Sequence, residues 1–282
     1  MLQAPQRTGL SGPTLIRLLT RLTDAEVQQS RQSLSDHLSQ WLGWTDAIAL
    51  SAALNTAPPV IAPGARMFSS AEERECVRVR TTLADAIASD TAATAAKRVA
   101  PARAPAKKLA AVLAEDAFDY SSFRQRYLSL QHTMETSVGN LRSRLRGMVA
   151  ARNGEWTRLA VVDAIMDRAL LPKERALLGA IPKLLQVHFD GLRKAEEAAL
   201  AQAAEQALAE PGAPADATAD VPGDTQAPAV DAAQAGTSPP APAITAGAWL
   251  DTFRADMRAV LLAELDVRLQ PVEGLLAALR TS

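Results

Sequence analysis

The residues able to do chemistry in this sequence are few and far apart. Its histidines are His37, His132 and His188, and its single cysteine is Cys76. A helix presents two metal ligands on one face when they stand three or four residues apart. No His-x-x-x-His or Glu-x-x-His spacing occurs, so a joint metal site would have to be assembled by folding alone. Cys76 falls on an apolar helical stripe with Val79, Leu83 and Ile87. There it reads as a small buried hydrophobe rather than a nucleophile. A lone cysteine excludes an internal disulfide and a multi-cysteine zinc site, and it fits a reducing compartment. The sequence has no Gly-x-Gly-x-x-Gly, no Walker-type loop and no Gly-x-Ser-x-Gly. Its carboxylates, scattered over helix surfaces, read as solvation. The expectation is a protein that is not an enzyme, with no catalytic, cofactor-binding or metal-ligating residues.

Binding chemistry is better represented. Between residues 96 and 108 stand Lys97, Arg98, Arg103, Lys107 and Lys108, among Ala and Pro and with no acid. Such a run suits phosphate backbones, and five engaged contacts would give a salt slope of about −4.5. It has no aromatic residue on which a base can stack, and a solubilising linker is the favoured reading of the same composition. Arg142, Arg144, Arg146 and Arg152 either extend that basic patch or form a solvated helix face. Trp41 and Trp44 stand three apart in a chain with only 4% aromatics. They either anchor a protein partner or pack the N-terminal helices. Trp249, Phe253 and Met257 open the apolar stripe of a final helix, which docks either on the rest of the chain or in the groove of a partner.

These residues must be positioned by helices. From Phe123, apolar residues recur at Tyr127, Leu130, Met134, Val138, Leu141, Leu145 and Met148, in steps of three and four. That is the period of a helix with one buried face. Asn153-Gly154 suits its stop. A second helix is expected over about 155–171, with Trp156, Leu159, Val162, Ile165, Met166, Ala169 and Leu170 inward. Pro172 suits the first position of a third helix, and Pro182 would then kink it. The third stripe runs through Leu177, Leu178, Ile181, Leu184, Leu185, His188 and Leu192. Short connections favour antiparallel neighbours, so this reads as a three-helix unit around which the chain is organised.

N-terminal to it, a first helix carries Leu15, Ile16, Leu18, Leu19 and Leu22. Thr23 and Glu26 form one capping-box pair, and Ser70 and Glu73 a second. A helix through Leu34, Leu38 and Trp41 breaks at Gly43 and resumes from Thr45 or Asp46 to near Asn55. The last helix runs through Trp249, Phe253, Met257, Val260, Leu261, Leu265, Leu269, Val272, Leu276 and Leu279, with a bend expected at Pro271.

With 48% apolar residues, supplied mainly by Ala and Leu, and no strand-like alternation, the fold class is all-α. We expect an antiparallel helical bundle with two disordered tethers and a tethered C-terminal amphipathic helix. The parts are a helical region at 10–89, a basic tether at 90–110, the three-helix unit at 111–209, an acidic Ala/Pro tether at 210–246 and the final helix at 247–280. A net charge of −1 suggests no polyanionic or polycationic partner. No signal-peptide layout stands at the N-terminus and no run of about 18 apolar residues occurs. A cytoplasmic protein without membrane insertion is expected.

Three segments carry a resemblance. Residues 38–48 (LSQWLGWTDAI), 123–131 (FRQRYLSLQ) and 262–276 (LAELDVRLQPVEGLL) resemble DUF3348, a proteobacterial family of unknown function typical of Burkholderia-type bacteria. The resemblance covers the chain outside the two tethers and brings no catalytic residues. It implies a cytoplasmic partner of a cell-envelope assembly. The expected function is a non-enzymatic helical interaction or scaffold protein, with a protein partner and with homo-oligomerisation left open. The alternative is a nucleic-acid-associated protein acting through residues 97–108.

Overall fold

The computed structural model describes residues 13–23, 32–55, 68–99, 119–152, 154–209 and 247–281, with backbone only at 90–99 and 207–209. These residues form helices α1 (Thr14–Thr23), α2 (Leu34–Trp41), α3 (Trp44–Asn55), α4 (Ser70–Val99), α5 (Tyr120–Ala150), α6 (Gly154–Leu178), α7 (Ile181–Ala209) and α8 (Ala248–Arg280). No strand occurs among them, so the chain is all-α.

Four helix starts have a local cause among the described residues. Ser33 Oγ accepts from Asp36 N–H (3.1 Å), and Ser33 N–H donates to the Asp36 carboxylate (3.0 Å), a complete capping box on α2. At α4 Ser69 N–H donates to the Glu72 carboxylate (3.0 Å) and Ser69 Oγ accepts from Ala71 N–H (3.2 Å), so the cap stands one residue earlier than the expected Ser70–Glu73 pair. The Thr23 hydroxyl donates back to the Leu19 carbonyl (2.8 Å) at the end of α1; the expected Thr23–Glu26 box reaches outside the described residues. Asp119 caps α5 through Ser121 N–H (3.1 Å). Gly247 precedes α8 at φ 86°, a left-handed conformation that glycine adopts without strain, and its N–H donates to Glu196 of α7 (2.8 Å).

The two internal prolines exchange the roles expected of them. Pro172 lies inside α6, while Pro182 is the second residue of α7, where its missing N–H would be unpaired anyway. The break falls at Gly179-Ala180 instead. A Cβ at Gly179 would stand 2.8 Å from the Arg175 carbonyl oxygen, so the tight turn needs glycine. Gly154 likewise starts α6 rather than stopping α5. Gly43 does separate α2 from α3, with α3 beginning at Trp44.

Helix directions follow from the side-chain pairs. Arg142–Asp167, Arg146–Asp163 and Arg175–Glu135 set α5 and α6 antiparallel. His188–Asp256 and Glu196–Gly247 do the same for α7 and α8, as do Arg80–Asp266 and Arg280–Glu73 for α4 and α8. Tyr127–Glu264 and Arg152–Leu279 make α5 and α8 parallel neighbours, remote in sequence.

The helix at the centre is α8, not the three-helix unit. It buries residues on more than one stripe, from Trp249 to Leu279, and packs on α1, α4, α5 and α7. Phe253, Leu250, Val260, Leu261 and Leu265 are almost wholly enclosed. Each such side chain contributes about 1.5–3 kcal/mol by leaving water. The rings of Phe253, Phe189, Phe123, Tyr120 and Trp249 interlock at one end, with centroids 4.8 Å apart for Phe189–Trp249 and 5.0 Å for Phe189–Phe253. The final helix thus docks on its own chain. The α5 stripe lies inward as its spacing predicts, with Leu130 partly buried. On α4, Leu83 and Ile87 are buried and Cys76 and Val79 pack against the same core. The α6 face follows its expected stripe in part: Ile165 is buried and Trp156 packs against the core, but Thr157 and Ala160 are buried as well and Leu159 faces water.

The basic segment expected at 90–110 begins as helix, since α4 continues to Val99. Residues 100–110, like the acidic segment 210–246, lie outside the described residues.

Candidate functional site

Two polar clusters and one apolar surface stand out from this framework. The first cluster is enclosed. Glu264 of α8 has no exposed surface. Its carboxylate accepts from Tyr127 Oη (2.7 Å), from Gln131 Nε2 (2.9 and 3.0 Å) and from Arg268 Nε (3.0 Å). Gln131 Nε2 also donates to the Leu178 carbonyl (3.1 Å), one of the carbonyls that the end of α6 leaves without an intrahelical partner. Arg268 Nη1 reaches Glu174 of α6 (3.0 Å). Burial, followed by the Glu264 charge, pushes the Tyr127 phenol well above its ordinary range. Burial also raises the Glu174 carboxyl, with Arg268 opposing it. Removing one partner from such a group strands the other charge, so the cluster fixes how α5, α6 and α8 meet. A recess of about 170 Å³ opens beside it, lined by His132, Glu135, Arg175 and Gly179 as well as Gln131 and Arg268. The Arg175 guanidinium, bonded to Glu135 through Nε (2.8 Å), holds the Glu135 carboxyl below its usual value.

The second cluster lies between α5 and α6. Arg142 and Arg146, four apart, face Asp163 and Asp167, also four apart. The contacts run from 2.5 to 2.7 Å. These two arginines are not a solvated face, because pairing with the next helix holds them. Arg152 closes the C-terminal end of α8 by donating to the Leu279 carbonyl (2.6 Å).

The apolar surface is formed by α2 and α3. Trp44 is 83% exposed, Leu34 73%, Ile48 54% and Leu54 52%. Trp41 is half-buried, its ring 5.8 Å from that of His37. α3 has apolar residues all round its circumference, so seating one side on α6 leaves the other in water. The ion pair Asp46–Arg168 (3.1 Å) ties its first turn to α6. Next to that contact, α5 and α6 leave an open groove of about 400 Å³. Small side chains line it, among them Gly147, Ala150, Ala160 and Ala164, with Arg146 and Arg168 at its edges.

The residues singled out in the sequence are therefore dispersed. Trp41 and Trp44 lie on the α2–α3 surface. Trp249, Phe253 and Met257 lie in the core, 8%, 0% and 4% exposed, so packing within the chain accounts for them and they are not free anchors. Lys97 and Arg98 fall on the last turn of α4, whereas Arg103, Lys107 and Lys108 lie outside the described residues. His188 pairs with Asp256 (2.9 Å), away from His37 and His132. Among the described residues no group of three or more His, Cys, Asp and Glu is placed to hold a metal ion. No helix there is long and apolar enough to cross a membrane. Glu264 was missed because carboxylates read as surface groups. Its signal is the Glu264/Arg268 pair, four apart and flanked by Leu261, Leu265 and Leu269 inside an otherwise apolar stripe.

An all-α chain with a charge-bearing core and an uncovered apolar face is the class that this geometry defines. The chain belongs to a family described as a protein of unknown function, DUF3348, whose model matches residues 1–217 and 223–281. Comparison with curated proteins and with solved structures gave no match.

Proposed function

We propose that this protein is a non-enzymatic interaction or scaffold protein that acts in the cytoplasm as a partner of a cell-envelope assembly. The observation that carries the reading is the exposed apolar surface of α2 and α3, centred on Trp44 and Ile48. Large apolar side chains grouped on one face mark interaction sites on soluble proteins, and tryptophan is prominent among residues that dominate binding energy. The envelope assignment rests on the family resemblance alone.

Affinity capture of the full chain from its native cells, with nuclease treatment and separate soluble and membrane fractions, tests the reading. A stoichiometric protein that survives nuclease and is lost with Trp44→Ala is the expected result. Nucleic acid that leaves as salt rises, with no protein at a fixed ratio, would replace this reading by association through Lys97, Arg98, Arg103, Lys107 and Lys108.

A further inference from the structure

The recess beside the Glu264 cluster has unused hydrogen-bonding capacity of one kind, and it is acceptor capacity. Gln131 borders the recess and is only 8% exposed. Its Nε2 donates to Glu264 and to the Leu178 carbonyl, which are both acceptors, so the two ends of the amide cannot be exchanged. No described group donates to Oε1. Nor is Oε1 among the fully enclosed side-chain atoms that lack a partner, so the recess is what it faces. Glu135, four residues on and hence a neighbour on the same helix face, repeats the pattern. Arg175 Nε (2.8 Å) and Nη2 both donate to its Oε1, and no described group donates to its Oε2. Gly179 also lines the recess, just past the end of α6, where the helix dipole is negative.

The cations nearby are already engaged. Arg268 serves Glu264 and Glu174, and Arg175 serves Glu135. Three carboxylates against two guanidiniums leave one negative charge without a counterpart. We propose that this recess binds a primary alkylammonium group, its N–H donors on Gln131 Oε1 and Glu135 Oε2 and its alkyl chain against Leu128 and Leu178. An anion entering the same space would meet those two unbonded oxygens. The recess holds about 170 Å³, the share of roughly six waters at about 30 Å³ each, which is room for a nitrogen and about four carbons. A short free amine and a lysine side chain both have that length. No residue of α2 or α3 lines the recess, so the assignment stands independently of the interaction reading above.

Titration of the full chain with n-butylammonium chloride at constant ionic strength tests this, read by NMR on the ring protons of His132, which lines the recess. His37 and His188 serve as internal controls. The expected result is a saturable shift at His132 alone, with a Kd of about 1–10 mM, in keeping with so small a ligand. Glu135→Gln removes a charged acceptor outside the core. It should keep the circular dichroism of the parent and weaken binding about tenfold or more. Butyltrimethylammonium, which has the charge but no N–H donor, and butyrate should leave His132 unmoved. No shift with butylammonium, an equal shift with either control ion, or binding indifferent to Glu135→Gln overturns the proposal. Nα-acetyl-lysine methylamide then separates the two sources. A shift matching that of butylammonium supports a lysine side chain as the ligand, and no shift supports a free amine.

Discussion

Trp249 and Trp44 each stand at the start of a helix, and the two helices use their apolar residues in opposite ways. Trp249 is 8% exposed and sits edge-on to Phe189; Trp44 is 83% exposed. α8 is long, and four other helices surround it, so nearly every apolar side chain it carries finds a wall. α3 is 12 residues long and is apolar on all sides. A single supporting helix cannot cover it. Burial in this protein is decided by how many neighbours a helix has more than by the apolar content of the helix itself. Stability therefore concentrates in α8 and exposed apolar surface in α3.

Substitutions in the two regions should separate these roles. Phe253→Ala removes a fully enclosed ring and should cost about 3–5 kcal/mol in urea unfolding. Glu264→Leu should cost about as much, 3–5 kcal/mol, because it leaves the buried Arg268 with only the outlying Glu174 carboxylate and takes an acceptor from Tyr127 and Gln131. A cost under 1 kcal/mol for either would place α8 outside the cooperative core.

Alkaline titration reads the same region without mutation. The chain has two tyrosines. Tyr120 is pushed from 10.0 to about 12 by burial, and Tyr127 is raised further, by burial first and then by Glu264. A phenol whose folded pKa is raised stabilises the fold fully below its unfolded value, and that contribution is lost as pH rises above it. At a pH of about 11 the folded chain should show little tyrosinate absorbance, whereas the urea-unfolded chain is largely ionised. Tyrosinate appearing in the folded chain at its ordinary pH would mean that the α5–α8 contact is open to water.

Smaller effects mark the outer parts. A double-mutant cycle on Arg146 and Asp163 should give a coupling of about 1 kcal/mol, since the pair is half-buried and shared with Arg142 and Asp167. Trp44→Ser should change stability by less than about 0.5 kcal/mol. A larger loss would make Trp44 a packing residue after all.

The periodic parts of this fold were legible in the residues. The α5 stripe from Phe123 to Met148 and the α8 stripe from Trp249 to Leu279 follow the helix period, and the structure buries them accordingly. The interhelix junctions were less so. Pro172 and Pro182 are both compatible with a helix start, and the choice between them is made by Gly179, whose turn leaves no space for a Cβ. Long-range partners left the weakest trace. Nothing local distinguishes Glu264 from a surface carboxylate until Tyr127 and Gln131, more than 130 positions away, arrive beside it. The same holds for Arg142 and Arg146, whose aspartates sit on the next helix. The Trp41/Trp44 spacing fell on a region that the structure leaves partly exposed, while Trp249 and Phe253, which carried the same kind of signal, lie in the core. Composition cannot tell an exposed tryptophan from a docked one.

Amide hydrogen exchange on the intact chain compares the two regions most directly. Docking of α8 within its own chain predicts that amides from Phe253 to Leu276 exchange only by global unfolding, while those of α3 exchange by local opening, orders of magnitude faster. Fast exchange along α8, at the rate of α3 or above it, would contradict the placement of the final helix at the centre of the fold.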